Sequence, residues 1–261
     1  MREPIAWLAR LIVAGSLLLG ATSAAVAFDD ALVNPYCEET PITVSIAGDS
    51  ITNAYWSDFR DFSCPPIWDV SKVAQGGLRA SQFNGETEKA GVIHDYTQDL
   101  IDINPEIVVL LLGTNDSVRD WTNPDHSIAF SEYTDAMKSI LDRLEAAEIS
   151  VILGIPTPLQ PLTDQLATGE DHLVNYYRPW IESEAAARGL PIVDFFDLFI
   201  SQPGWEVLFP DGVHPYTEDG AHMMAAEATA EICIRSLPEP SAACSLLVGA
   251  LGLAGLAARR N

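Results

Sequence analysis

Basic residues are scarce in this sequence: 14 lysines and arginines stand against 37 aspartates and glutamates, a formal net charge of −23. So few cations cannot neutralise a phosphate backbone, and the acidic surface repels anionic headgroups. Nucleic acid is therefore excluded as a partner, and a neutral or cationic substrate is favoured. Cysteine is also rare. The four, Cys37, Cys64, Cys233 and Cys244, form no C-x-x-C and no Cys/His cluster, so neither a metal nor a cofactor is expected. Residues 28–237 contain no internal repeat and no low-complexity segment; the long apolar runs are confined to the two ends.

Those ends read as addresses rather than fold. Residues 1–27 pass from Arg2 and Arg10 through an apolar stretch, Leu11 to Leu19, into Ala25-Val26-Ala27. A basic start, a short apolar core and a small-x-small site describe a secretory signal peptide cleaved after Ala27. At the other end Pro238-Glu239-Pro240 precedes an apolar run, Ala242 to Ala258, and then Arg259-Arg260. The run is close to a membrane span, and terminal arginines stay on the cytoplasmic side. This order of parts resembles a PEP-CTERM sorting signal, which implies recognition by membrane-bound processing machinery; a plain C-terminal anchor is the alternative. The expected organisation is a signal peptide at 1–27, one domain at 28–237 with a core of its own, and a sorting or transmembrane tail at 238–261. Export permits disulfides, and Cys37–Cys64 and Cys37–Cys233 are the two candidate pairs.

Between the ends, short apolar runs alternate with longer amphipathic stretches. Strands are expected at Ile42–Ala47, Ile67–Ala74, Ile107–Leu112, Val151–Ile155 and Ile192–Phe195. Three of these are continuous apolar blocks bounded by Gly, Pro or Asn, as strands buried on both faces of a parallel sheet should be. Helical patterns cover Thr52–Asp61, His94–Ile103, Ile128–Ala147, Val174–Arg188 and Thr217–Arg235. In the third, Met137, Ile140, Leu141 and Leu144 recur at helical spacing, with Arg143 and Glu145 turned away. Alternating β and α elements predict an α/β domain, a three-layer doubly wound sheet of about five parallel strands, with ligands bound beyond the strands' carboxyl ends.

Four polar motifs fall at those ends or just before the last helix. Gly48-Asp49-Ser50 closes the first strand and opens a helix, whose free N–H groups favour developing negative charge. Alone, Asp and Ser there are ordinary helix caps. Gly76-Gly77 follows the second strand, where a glycine lets backbone N–H approach a ligand or simply makes a tight turn. Asn115 follows the third strand in Gly113-Thr114-Asn115-Asp116; its amide can donate into the crevice or close an Asx turn. Asp211-Gly212-Val213-His214-Pro215 sets a carboxylate and an imidazole three residues apart, close enough for Asp211 to orient the ring while the other nitrogen takes a serine proton.

Taken in order, the four motifs resemble the blocks of the SGNH (GDSL-like) hydrolases, over about Thr43 to Ala226. The resemblance implies a flavodoxin-like hydrolase fold and a serine esterase without cofactor. Its catalytic residues would be Ser50, Asp211 and His214, and its oxyanion hole Ser50, Gly76 and Asn115. The second block departs from the family: Ala74 stands where an Asn is usual and Arg79 where a later Gly is. This leaves Gly77 as a rival to Gly76, and Arg79 as either a substrate contact or a solvated or salt-bridged side chain. Asp49 is read as capping the turn. His94, His126, His172 and His222 lack a carboxylate at short spacing and are read as surface or loop residues. Trp121, Trp180 and Trp205 are read as core or rim, with Trp205 near enough to Asp211 to stack on a sugar. The run Val207 to Pro215, with Asp116, looks like the carbohydrate-esterase side of the family, which implies removal of acetyl groups from a small-molecule or polysaccharide ester. The sorting tail agrees, since such tails accompany exported proteins of bacteria that make exopolysaccharide. It implies a periplasmic, outer-surface or matrix location in a Gram-negative-type cell. The alternatives are a lipase or lysophospholipase of the same fold and a catalytically silent carbohydrate-binding module.

Overall fold

The computed structural model describes residues 42–62, 68–119, 121 and 126–236. The expected leader, the expected tail and Cys37, Cys64 and Cys244 lie outside the described residues, and both candidate disulfides with them. Among the described residues no helix is long and apolar enough to cross a membrane.

Five strands, β1 (Ile42–Gly48), β2 (Trp68–Ala74), β3 (Ile107–Leu111), β4 (Ser150–Ile155) and β5 (Ile192–Asp194), form one sheet in the order β2-β1-β3-β4-β5. Every pairing is parallel. The chain thus winds outward from β1 in both directions, and the sheet lies within one unit, Glu39–Ile232. Central β3 is buried at all five positions, whereas edge strand β2 exposes Asp69 and half-exposes Ser71 and Lys72. Continuous apolarity in one and interruption in the other follow from having neighbours on both edges or on one.

The helices are α1 (Ser50–Phe62), α2 (Ala80–Phe83), α3 (Tyr96–Ile103), α4 (Thr114–Ser117), α5 (Ser127–Ala146), α6 (Asp164–His172), α7 (Arg178–Arg188), α8 (Phe195–Ile200) and α9 (Glu218–Ser236). One face of the sheet sends Ala47, Val108, Leu110, Val151 and Leu153 into a cluster with Tyr133, Met137, Ile140 and Leu144 of α5 and Ile181 and Ala185 of α7. The alternate positions, Val44, Ile46, Val109 and Ile152, are equally buried. Tyr55 of α1 and Phe195 of α8, both buried, meet with ring centroids 5.8 Å apart.

The expected helix Val174–Arg188 is instead the second half of a longer path. α6 runs through one π turn, Leu173–Tyr177, into α7. Pro179 in the first turn of α7 has no N–H to donate. The widened turn accommodates it, and Arg178 donates to the Leu173 carbonyl five residues back. The helices α2, α4 and α8, of six residues or fewer, were absent from the expected set, because so few residues carry no helical period.

Candidate active site

The site begins where β1 stops. Gly48 pairs with Ala74 on one side and Leu111 on the other, and its φ of +151° turns the chain out of the sheet. Asp49, fully buried, then accepts the Ile51 N–H at 2.9 Å, the short-range cap expected of it. Ser50 is thereby the first residue of α1, at the carboxyl end of the sheet.

Asp211 reaches Ser50 through His214. One Asp211 oxygen accepts the N–H groups of Val213 and His214 at 2.9 and 2.8 Å, so the turn grips the carboxylate. The other lies 2.6 Å from His214 Nδ1, and His214 Nε2 lies 2.7 Å from Ser50 Oγ. An ionised carboxylate only accepts, so Nδ1 carries the proton and Nε2 is left to accept from the serine hydroxyl. Partial burial pushes the Asp211 carboxyl up, but the His214 N–H and imidazole and the Val213 N–H outweigh it and hold it below the usual value. The ring of Tyr216, itself exposed, stacks on His214 at 4.6 Å and 16°.

Gly76 and Asn115 also converge here. A Cβ added to Gly76 would stand 3.7 Å from Ser50 Cβ; one added to Gly77 would meet Lys89 Nζ at 3.0 Å and nothing of Ser50. Gly76 is therefore the glycine against the serine. Asn115, on α4, donates its amide to Asp49 at 2.8 Å and to the Leu78 carbonyl at 3.1 Å. Both of its N–H bonds are thus engaged within the protein, a state the sequence did not reveal. Asp116 beside it is buried and accepts the Ala80 N–H at 3.2 Å, which ties α4 to α2.

Burial pushes the Asp49 carboxyl up to about 6, against the Ile51 N–H, His214, Asn115 and Lys89, which draw it down. It pushes Asp116 up to about 7, against the Ala80 N–H and Arg79, and Glu170 up to about 7, against the Leu159 N–H. All three bind protons more tightly folded than unfolded, so the folded state holds more protons between about pH 4 and pH 7, and stability falls as pH rises through that window. Between about pH 5.5 and pH 8 the expected drop is on the order of 5 kcal/mol, or roughly 10–20 °C in Tm for a domain of this size. Thermal unfolding followed by circular dichroism between about pH 5.5 and pH 8 checks it, and Asp116→Asn should flatten the slope. A Tm that is level or rising over that range would contradict the burial assigned to these carboxyls.

His94 is an exposed loop residue, as expected, although it lies 2.7 Å from Asp99, five residues on; His222 lies on α9, 3.7 Å from the distant Asp58. His126 and His172 are not surface residues. Both are buried, their rings stacked 3.6 Å apart, with His126 Nε2 2.8 Å from the Tyr177 hydroxyl and His172 Nδ1 2.9 Å from the Ser117 carbonyl. Hydrogen bonding to α4 and to the π turn makes their burial tolerable, and no local spacing announces that. Trp180 packs edge-on against Tyr133, Trp205 packs against Phe209, and Trp121 is exposed. Lys89, which bonds the Gly76 carbonyl, was not singled out by any motif. Among the described residues no group of three or more His, Cys, Asp and Glu side chains is disposed to hold a metal ion.

Comparison with known proteins agrees with this geometry. No curated protein sequence matches the chain. Among solved structures, a lipase/acylhydrolase from Enterococcus faecalis is 20% identical, with a TM-score of 0.57 over 77% of this chain and 100% of that one. Axe2, an acetylxylan esterase from Geobacillus stearothermophilus, is 16% identical, with a TM-score of 0.56 over 74% and 94%. A GDSL-like lipase from Bacteroides thetaiotaomicron is 23% identical, with a TM-score of 0.53 over 75% and 89%. These share the fold. The family model for GDSL-like lipase/acylhydrolases matches residues 46–219, a span that holds all four motifs, and the chain belongs to that family.

Proposed function

We propose that the protein is an exported serine esterase that removes small acyl groups, acetyl above all, from carbohydrate. The observation that carries it is the unbroken chain Asp211–His214–Ser50, with links of 2.6 and 2.7 Å. Ser50 Oγ attacks the ester carbonyl as its proton passes to His214 Nε2, and Asp211 stabilises the imidazolium. Collapse of the tetrahedral intermediate releases the alcohol, which takes the proton from His214, and leaves an acyl-enzyme. Water activated by the same imidazole then frees the acid.

The oxyanion is held by the backbone N–H groups of Ser50 and Gly76 and by the Asn115 side chain. For Asn115 this means exchanging the longer of its two bonds, that to Leu78, for the oxyanion while keeping Asp49. Asn115→Ala is expected to lower kcat about 10²–10³-fold with KM nearly unchanged. Because the mutant also deprives buried Asp49 of a donor, its Tm should fall as well. Wild-type kcat in steady-state kinetics would remove Asn115 from the hole.

Support for the substrate class comes from the likeness of Val207 to Pro215 to carbohydrate esterases and from an acetylxylan esterase sharing the fold. Acetate release from acetylated xylan, acetylated sialic acid and exopolysaccharide tests it, beside p-nitrophenyl acetate and octanoate. Preference for the octanoate, with no acetate from any sugar, would make the protein a lipase instead. Export by a leader at 1–27 and sorting by the tail at 238–261 belong to the same proposal. Mature protein beginning at Phe28, read by mass spectrometry of exported material, is the expected sign.

A further inference from the structure

Two cations stand by the crevice of a chain that has few. Lys89 donates from Nζ to the carbonyl of Gly76, the residue against Ser50. Arg79, half-buried, directly precedes α2 and is near enough to both Lys89 and Asp116 to act on their charges. Arg119, Arg143, Arg178 and Arg188 are each bound to carboxylates, whereas no ion pair holds Arg79 or Lys89 among the described residues. Burial draws the Lys89 ammonium down and Asp49 draws it back up. The two carboxyls beneath, Asp49 and Asp116, are themselves raised by burial, to about 6 and about 7, so near neutral pH they do not fully offset the pair.

Beside Lys89 opens a cleft of about 360 Å³, lined also by Gln75, Gln82, Ala90, Val92, His94 and Tyr96. The Tyr96 hydroxyl donates to Gln75 Oε1, which leaves the Gln75 amide N–H groups available. Gln82 is committed to the Glu88 carbonyl and the Arg79 N–H and serves as wall. His94 meets Tyr96 edge-on at 4.4 Å. The cleft sets an ammonium and an amide beside an aromatic ring and the apolar Ala90 and Val92, a mixed lining that matches a sugar ring, apolar on its C–H face and hydroxyl-rich at its rim, that bears a carboxylate.

We propose that this cleft is a subsite for a uronate residue of an acetylated polysaccharide, Lys89 holding its carboxylate and Arg79 adding to the local positive field. It deepens, and rests on, the assignment of Ser50 as a sugar acetylesterase nucleophile: an acetyl group carries no charge, so the anion must sit on the sugar. The net charge of −23 pointed toward a neutral or cationic substrate. The local placement of two cations reverses that for the residue seated next to the ester.

The test compares matched acetylated methyl glycosides, a galacturonate and its galactose counterpart, as kcat/KM on the full domain. Each enzyme's rates are divided by its own rate on p-nitrophenyl acetate, so that any loss of folded protein cancels. Wild type should favour the uronate at least about tenfold, and the preference should shrink when salt is raised from about 0.05 to 0.5 M. Lys89→Gln should bring the ratio close to one, and Lys89→Arg should retain most of it. Equal rates on both sugars in wild type, or an undiminished ratio in Lys89→Gln, would overturn the uronate subsite while leaving the esterase intact. Absence of acetate from either sugar, with p-nitrophenyl esters still cleaved, would overturn the sugar-esterase assignment and this subsite together.

Discussion

Ser50→Ala is expected to lower ester hydrolysis by about 10⁴–10⁶-fold and to abolish the acyl-enzyme. The size follows from the geometry. Ser50 Oγ is the atom 2.7 Å from His214 Nε2, and without it the imidazole has no nucleophile to deprotonate. Residual turnover would come from water and whatever oxyanion donors remain. Asp211→Asn should cost about 10⁴-fold by a different route. An amide presented to Nδ1 as a donor favours the wrong tautomer, placing the proton on Nε2, where it faces the serine. The two variants are separable: a fluorophosphonate probe should fail to label Ser50→Ala at all and should label Asp211→Asn slowly. Burst kinetics persisting in Ser50→Ala would sink the nucleophile assignment.

Gly48→Ala is expected to have the largest effect on stability. The residue has a φ of +151°, where an L side chain is strained, and an added Cβ would lie 2.0 Å from the Leu111 carbonyl oxygen and 2.6 Å from Thr52 Oγ1. The oxygen belongs to the neighbouring strand, so relief requires β1 and β3 to part where Gly48 pairs with Leu111. A cost of about 4 kcal/mol or more is expected, a large share of the 5–15 kcal/mol typical of a folded domain. Loss of a cooperative thermal transition, or a Tm lower by roughly 10 °C or more, would show it. Gly204→Ala is the control. Its φ of +74° also disfavours a side chain, but the Cβ would meet nothing within 4 Å, so the cost should be about 1 kcal/mol. Equal Tm values for the two variants would remove the steric account.

These two sites mark how far local pattern reaches. Val108 to Leu111 could be read as a buried strand because its apolar run has no polar interruption, and the expected end at Leu112 missed by one residue. Asp211 and His214 could be paired because three residues on a turn bring them together whatever the rest of the chain does. Asp49 is legible as a cap because an Asx cap spans only two residues. By contrast, α2 and α4 are single turns that exist because Asp116 on one accepts from Ala80 at the start of the other, 36 residues away. No period within either segment carries that information. Pro179 marks the π turn before Arg178 only ambiguously, because a proline near a helix start is more often a boundary than an interruption.

Legible along the chain are the order of parallel-sheet strands and helices, the family, and the residues from which a serine site would be assembled. Each of these is written in short-range periodicity or in motifs of a few residues. Tertiary structure alone decided that Ser50 meets His214 across 164 positions, that Gly76 rather than Gly77 lies against the serine, and that the Asn115 amide is held by Asp49 and Leu78. It also decided that Lys89 bonds the Gly76 carbonyl, and that His126 and His172 are stacked and buried. The physical reason is common to all of them. Burial, long-range hydrogen bonds and local charge depend on which elements stack against one another, and that stacking sums many weak contacts that no single segment of the chain records.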